Sequence, residues 1–296
     1  MRSIHSTLWQ MLVAVVSFIA ATTSASAHIY YTGRDFGSFT ASSTTSTNTI
    51  SSNSVTGNYG WASGTDINLG DSHKLTSFKF TLLNSGLVTF QVQGVAFKKG
   101  ILNIGALATP GFSIYQGLAH LSPLQGDHDS SAVSSAYNDA TYGAGNWEGS
   151  FDALGSWKMG SDDGSTFADL SSFIYIGNAA DGTSANYGSN PATLGYALDA
   201  SNNVISFAND TIHGDGNANG TLQASFLLGP GDYSILVGGA QYFGTNNSGA
   251  DASGSYGFNA ALLVSAVPEP STVTLLLCAI AVPIFIGIRR FRTQSL

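Results

Sequence analysis

Five histidines lie beyond residue 27, namely His28, His73, His120, His128 and His213, and His28 has a chemical opportunity the others lack. It follows Ala25-Ser26-Ala27, a run of small residues of the kind a signal peptidase cuts, and cleavage after Ala27 makes His28 the new amino terminus. A terminal amine and an imidazole on one residue together chelate copper, and one further histidine completes a three-nitrogen set. The sequence leaves His73, His120, His128 and His213 as equal candidates for that second imidazole. The plainer alternative is a solvated terminal histidine.

A second chemistry is suggested by acidic loops. Asp127-His128-Asp129 and Asp162-Asp163-Gly164 are dense acidic spots, and Asp210, Asp215, Asn217 and Asn219 alternate at loop spacing with Gly216 and Gly220 to allow turns. Such a loop can aim oxygens at calcium, although the bidentate Glu that closes an EF-hand is missing. The competing reading is a solvated Asn/Asp/Gly turn. Trp61, Trp147 and Trp157 sit among Gly, Ser and Asn and could stack on sugar rings of an exopolysaccharide, or fill a core. Gly-x-Ser-x-Gly, His-Glu-x-x-His and phosphate-binding glycine loops are all absent from the sequence. Glu148, the one glutamate of the body, has Asp152 four residues away, with nothing to place the two in one cleft. The expectation is a protein without catalytic activity.

Processing segments bound the part that can carry chemistry. Residues 1–27 have a basic start at Arg2, an apolar stretch from Met11 to Ala21, and the Ala25/Ala27 cleavage site, which is the order of a signal peptide handled by signal peptidase and the export machinery. Residues 267–296 hold Pro268-Glu269-Pro270, an uncharged apolar run over 272–288, and Arg289, Arg290 and Arg292. As a helix the run would be about 25 Å long, enough to cross a slightly thinned inner membrane with the arginines on the cytoplasmic side. Between these segments, residues 28–266 form the expected extracytoplasmic body. Six of the ten basic residues remain there, against seventeen of eighteen acids, so the body is close to −11. That charge argues against nucleic acid or an anionic lipid surface as partner and is compatible with divalent cations. The one cysteine, Cys278, lies in the tail, so the body must be stabilised by its core.

Hydrophobic alternation predicts strands. Phe78, Phe80 and Leu82 alternate with polar residues, as do Val88, Phe90 and Val92 after Asn84-Ser85-Gly86, and the pattern reads as a β-hairpin whose turn tolerates positive φ. Further short strands are expected at 112–114, 173–176, 222–228, 233–238 and 257–264, with a weak helical pattern over 131–137. Ser38 to Ser54 reads as partly ordered strands or a flexible arm. Thirty-five glycines and few helix formers favour an all-β, jelly-roll-like β-sandwich, with one C-terminal transmembrane helix added by the tail.

Three resemblances extend this reading. The His28 arrangement is similar to the brace of lytic polysaccharide monooxygenases, which also use a β-sandwich, although the surroundings of the candidate histidines do not resemble that family's motifs. The stretches 76–93, 110–116 and 231–237 loosely resemble the bacterial pre-peptidase C-terminal type of β-sandwich, an accessory module, interrupted here by a long insertion over 117–219. The tail resembles the PEP-CTERM sorting signal, in which Pro268, Glu269, Pro270, Arg289 and Arg290 occupy the diagnostic positions. That resemblance implies an exosortase partner, an inner-membrane-anchored intermediate, and delivery to the cell surface or a biofilm matrix. The resulting expectation is a non-catalytic surface or extracellular-matrix protein. A carbohydrate-binding module is the alternative, and a copper-dependent polysaccharide monooxygenase using His28 is a further one.

Overall fold

The computed structural model describes residues 28–61, 69–120, 127–128, 140, 150–160, 170–182, 217–240 and 254–267. Sixteen strands are seen among the described residues. They are β1 (His28–Ile29), β2 (Asp35–Phe39), β3 (Ser46–Thr56), β4 (Leu69–Asp71), β5 (Thr76–Leu82), β6 (Gly86–Gly94), β7 (Phe97–Lys99), β8 (Leu102–Ala106), β9 (Pro110–Gln116), β10 (Asp127–His128), β11 (Ser150–Asp152), β12 (Trp157–Met159), β13 (Ser171–Ala180), β14 (Thr221–Leu228), β15 (Gly231–Gly239) and β16 (Ser255–Ser265), with a 3-10 turn at Ser72–Lys74.

Twelve of these strands form two six-stranded sheets: one has the order β12-β13-β9-β15-β5-β2, and the other has β14-β6-β16-β8-β7 with β3 also on β16. Both sheets are open and mixed, because β2 runs parallel to β5 and β8 runs parallel to β16 while the other pairs are antiparallel. This corrects the jelly-roll expectation. No helix among the described residues is long and apolar enough to cross a membrane, and the 272–288 run lies outside them.

The predicted hairpin is also corrected. β5 pairs with β15 and β2, whereas β6 pairs with β14 and β16, so the two strands belong to opposite sheets and Leu83–Ser85 bridges the layers. The alternation does its work across the interior: Phe78, Phe80 and Leu82 face Val88, Phe90 and Val92 in one core, all buried. A period of two shows which face is apolar, and it is satisfied equally by two strands that pair or by two that face each other. The turn residues are used differently as well. The Asn84 side chain accepts from the Ala41 amide at 2.8 Å and donates to the Ala41 carbonyl at 3.0 Å, tying the arch to the strand end after β2. Neither Asn84, Ser85 nor Gly86 adopts positive φ.

Phenylalanines bind the two layers together. Phe90 lies edge-on to Phe112 at 4.9 Å and to Phe36 at 6.1 Å, and Phe36 stacks on Phe78 at 5.5 Å. Edge-to-face pairs add about 0.5–1.5 kcal/mol each beyond area burial. At the sheet end, Tyr233 stacks on Phe80 at 5.0 Å and donates to the Gly229 carbonyl at 2.7 Å. Burial, with the Asp232 carboxylate adding to it, pushes the Tyr233 hydroxyl well above the usual phenol range. The folded chain therefore keeps this proton where the unfolded chain loses it. Stability from this group is complete below about pH 10 and falls as pH rises further, on the order of 1 kcal/mol per unit. Urea unfolding at pH 8.5 and 10.5 should show the decline, and Tyr233→Phe should make it shallower; an equal decline in both would refute the assignment.

The first sheet is covered on its other face too. β9 sends Phe112 and Ile114 into the inter-sheet core and Ser113 and Tyr115 to a second core with Ile29, Tyr31, Trp61, Phe151, Trp157, Phe173, Tyr175 and Leu236. A strand buried on both faces needs its inner polar atoms satisfied. Trp61 Nε1 donates to Ser113 Oγ at 2.8 Å, Ser113 Oγ donates to the Ala153 carbonyl at 2.5 Å, and Tyr115 OH donates to the Asp152 carbonyl at 2.6 Å. This outer layer carries β1, β4, β10, β11 and the 3-10 turn, and it holds the histidines of interest.

Candidate metal centre

The chain after residue 27 is fixed, not trailing. Ile29 and Tyr31 are buried in the outer core, Ser77 Oγ donates to the Tyr30 carbonyl at 2.8 Å, and Tyr31 OH lies 2.7 Å from Ser234 Oγ and accepts from the Ala119 amide at 3.0 Å. These contacts hold β1 against the first sheet. β10 then pairs with it antiparallel, in a register that sets His28 opposite His128 and Ile29 opposite Asp127. Residues directly opposite in an antiparallel ladder share a face, with Cβ atoms about 4.5–5.5 Å apart. Of the four sequence candidates for a second imidazole, the fold thus places His128 across from His28.

A third histidine is close by. β1 runs alongside the Ser72–Lys74 turn, with Cα atoms of the two within 8 Å. Asp71 builds that turn: its amide donates to the Gly60 carbonyl at 2.8 Å, β4 is fixed by pairing Asp71 with Ser150 on β11, and its Oδ1 accepts from the His73 amide at 3.0 Å. The same Oδ1 lies 3.1 Å from His73 Nδ1, and Lys74 Nζ lies 3.3 Å from the other oxygen, Oδ2. The His73 side chain is 25% exposed. His120 is held elsewhere, its amide donating to Ser171 Oγ at 2.6 Å, and His213 is outside the described residues. The His73–Asp71 pair was missed by sequence reasoning, though Asp71-Ser72-His73 carries an Asx-turn signal.

The other expected sites fare differently. Trp61 is 0% exposed and Trp157 3%, the latter stacked on Phe173 at 4.4 Å, so neither offers a face to a sugar; both belong to the second core behind the first sheet. Trp147 lies outside the described residues, as do Asp210 and Asp215. Asn219 and Asn217 are described, and the loop there is organised by a different acid: the fully buried Asp181 accepts from the Asn219 amide at 3.0 Å and the Gly220 amide at 2.6 Å, while Asn219 Oδ1 accepts from the Thr221 amide. Among the described residues no group of three or more His, Cys, Asp or Glu side chains is positioned as a metal cluster; the side chains of His28 and His128 fall outside that statement. Ala25, Ala27, Pro268, Glu269, Pro270, Arg289 and Arg290 are outside the described residues.

No protein-family model matches the chain, and no curated protein matches it. Two solved structures show a weak likeness to it. One is CorA of Methylomicrobium album BG8, described as a surface-associated copper-binding protein, at 14% identity and a TM-score of 0.36 over 76% of this chain and 96% of that one. The other is the secreted protein MopE of Methylococcus capsulatus, in a mercury-soaked structure whose description assigns an oxidised tryptophan a role in copper binding, at 14% identity and a TM-score of 0.37 over 79% and 87%. Likeness at this level transfers no function. The principal expectation is corrected on other grounds: no comparison by family or curated protein brings an exosortase-sorted matrix element, no membrane-crossing helix stands among the described residues, and the sorting tail lies outside them. The reading as a PEP-CTERM-sorted biofilm protein with a membrane-anchored intermediate is therefore set aside.

Proposed function

We propose that the chain is an exported copper-binding protein whose site forms at the amino terminus exposed by leader removal. The observation that carries this reading is the β1–β10 register, which sets His28 opposite His128. Cleavage after Ala27 supplies the terminal amine, so His28 contributes two nitrogens and His128 a third. An all-nitrogen set suits Cu(II), which also stands highest in the divalent affinity order, so copper should outcompete zinc and nickel. The acidic body favours approach of a divalent cation from solvent. The role is binding, in keeping with the absence of the common catalytic motifs from the sequence.

Competitive titration of the mature chain starting at His28, set beside a chain that keeps Ala27, tests the reading. One Cu(II) per chain is expected, with affinity reduced by at least about 100-fold when the extra residue removes the terminal chelate, a larger loss than outer-shell changes produce. Equal binding by both chains, or none by the mature chain, would overturn the proposal.

A further inference from the structure

We infer that His73, oriented by Asp71, is a further copper ligand, entering from the 3-10 turn beside β1. This rests on the reading that His28 and His128 hold the metal, and it adds a ligand on a separate element. Two observations carry it. The turn lies against β1, within 8 Å between Cα atoms. In addition, His73 Nδ1 is 3.1 Å from Asp71 Oδ1, the carboxylate–imidazole arrangement that fixes ring and tautomer in metal-bound histidines. With Nδ1–H donated to the carboxylate, the Nε2 lone pair is left for a metal, and among the described residues no partner engages Nε2.

The surroundings support a fixed ligand. The turn cannot slide, because Asp71 is tied to Gly60 through its amide and to β11 through the ladder. Lys74 sits on the far carboxylate oxygen, 3.3 Å from Oδ2, and its ammonium also lies 4.3 Å from the centre of the Tyr59 ring. Asp71 thus holds Lys74 with one oxygen and His73 with the other. Asp71 is a positioning residue here, and His73 is the ligand.

Copper titration and electron paramagnetic resonance of the mature wild type, His73→Gln, His73→Ala and Asp71→Asn distinguish the possibilities. The His73 variants should bind one Cu(II) about 10–100-fold more weakly and lose one set of nitrogen couplings, and Asp71→Asn should weaken binding by about 10-fold while keeping those couplings. Metal-free thermal melts of His73→Gln show whether the fold is kept. Wild-type affinity and an unchanged spectrum in both His73 variants would overturn the ligand assignment and leave the His28–His128 reading standing. Absence of copper binding in the wild type would overturn both.

Discussion

His128→Ala should lower the Cu(II) affinity of the mature chain by at least about 100-fold while leaving its metal-free melting temperature nearly unchanged. The affinity loss follows from removing an imidazole that belongs to the coordination set, where even outer-shell changes cost about 10–100-fold. The small stability effect follows from position. The ladder that holds His128 is two residues long on each strand, and β1 is fastened independently through the Tyr30 carbonyl, the Tyr31 hydroxyl and the burial of Ile29. Copper titration and a metal-free melt on the same preparation check both halves. His213→Ala is the comparison, and an equal loss from it would show that the register has not selected the ligand.

Trp61→Ala should cost about 3–5 kcal/mol of unfolding free energy, the range for removing a large aromatic from a packed core. Trp61 is wholly buried, its indole N–H donates to Ser113 Oγ at 2.8 Å, and its ring lies against Gly111, where an added Cβ would come within 2.6 Å of it. Truncation opens a cavity behind the first sheet and removes one partner of a buried hydroxyl, although Ser113 keeps its bond to the Ala153 carbonyl. Trp61→Phe should lose less, since most of the volume stays. Urea unfolding measures the difference. A change within 1 kcal/mol would place Trp61 at the surface and reopen sugar stacking there.

Strand positions were legible because apolar alternation is a local property. The runs at Phe78–Leu82, Val88–Val92 and Leu222–Leu228 all lie on strands that point alternate side chains into the inter-sheet core. Partner choice was not legible. Whether Phe80 and Phe90 sit side by side or face to face depends on the arch at Leu83–Ser85 and on the Asn84–Ala41 clamp, a contact over 43 residues. For Trp61 and Trp157 the sequence left sugar stacking and core filling open, because Gly, Ser and Asn neighbours resemble a loop surface; here glycines permit close layer packing and Ser113 Oγ accepts the Trp61 indole N–H. For the site, the sequence could name His28 and its possible companions, but selecting His128, a hundred positions away, required the β1–β10 pairing. Only the Asp71–His73 contact was within local reach.

Copper coordination at the mature amino terminus is read out by electron paramagnetic resonance of bound Cu(II), with histidine labelled by nitrogen-15 in one sample and unlabelled in another. A single tetragonal site is expected, its nitrogen couplings changing on labelling and its imidazole coupling lost in His128→Ala. A spectrum of aqueous Cu(II), or one indifferent to both labelling and His128→Ala, would contradict it.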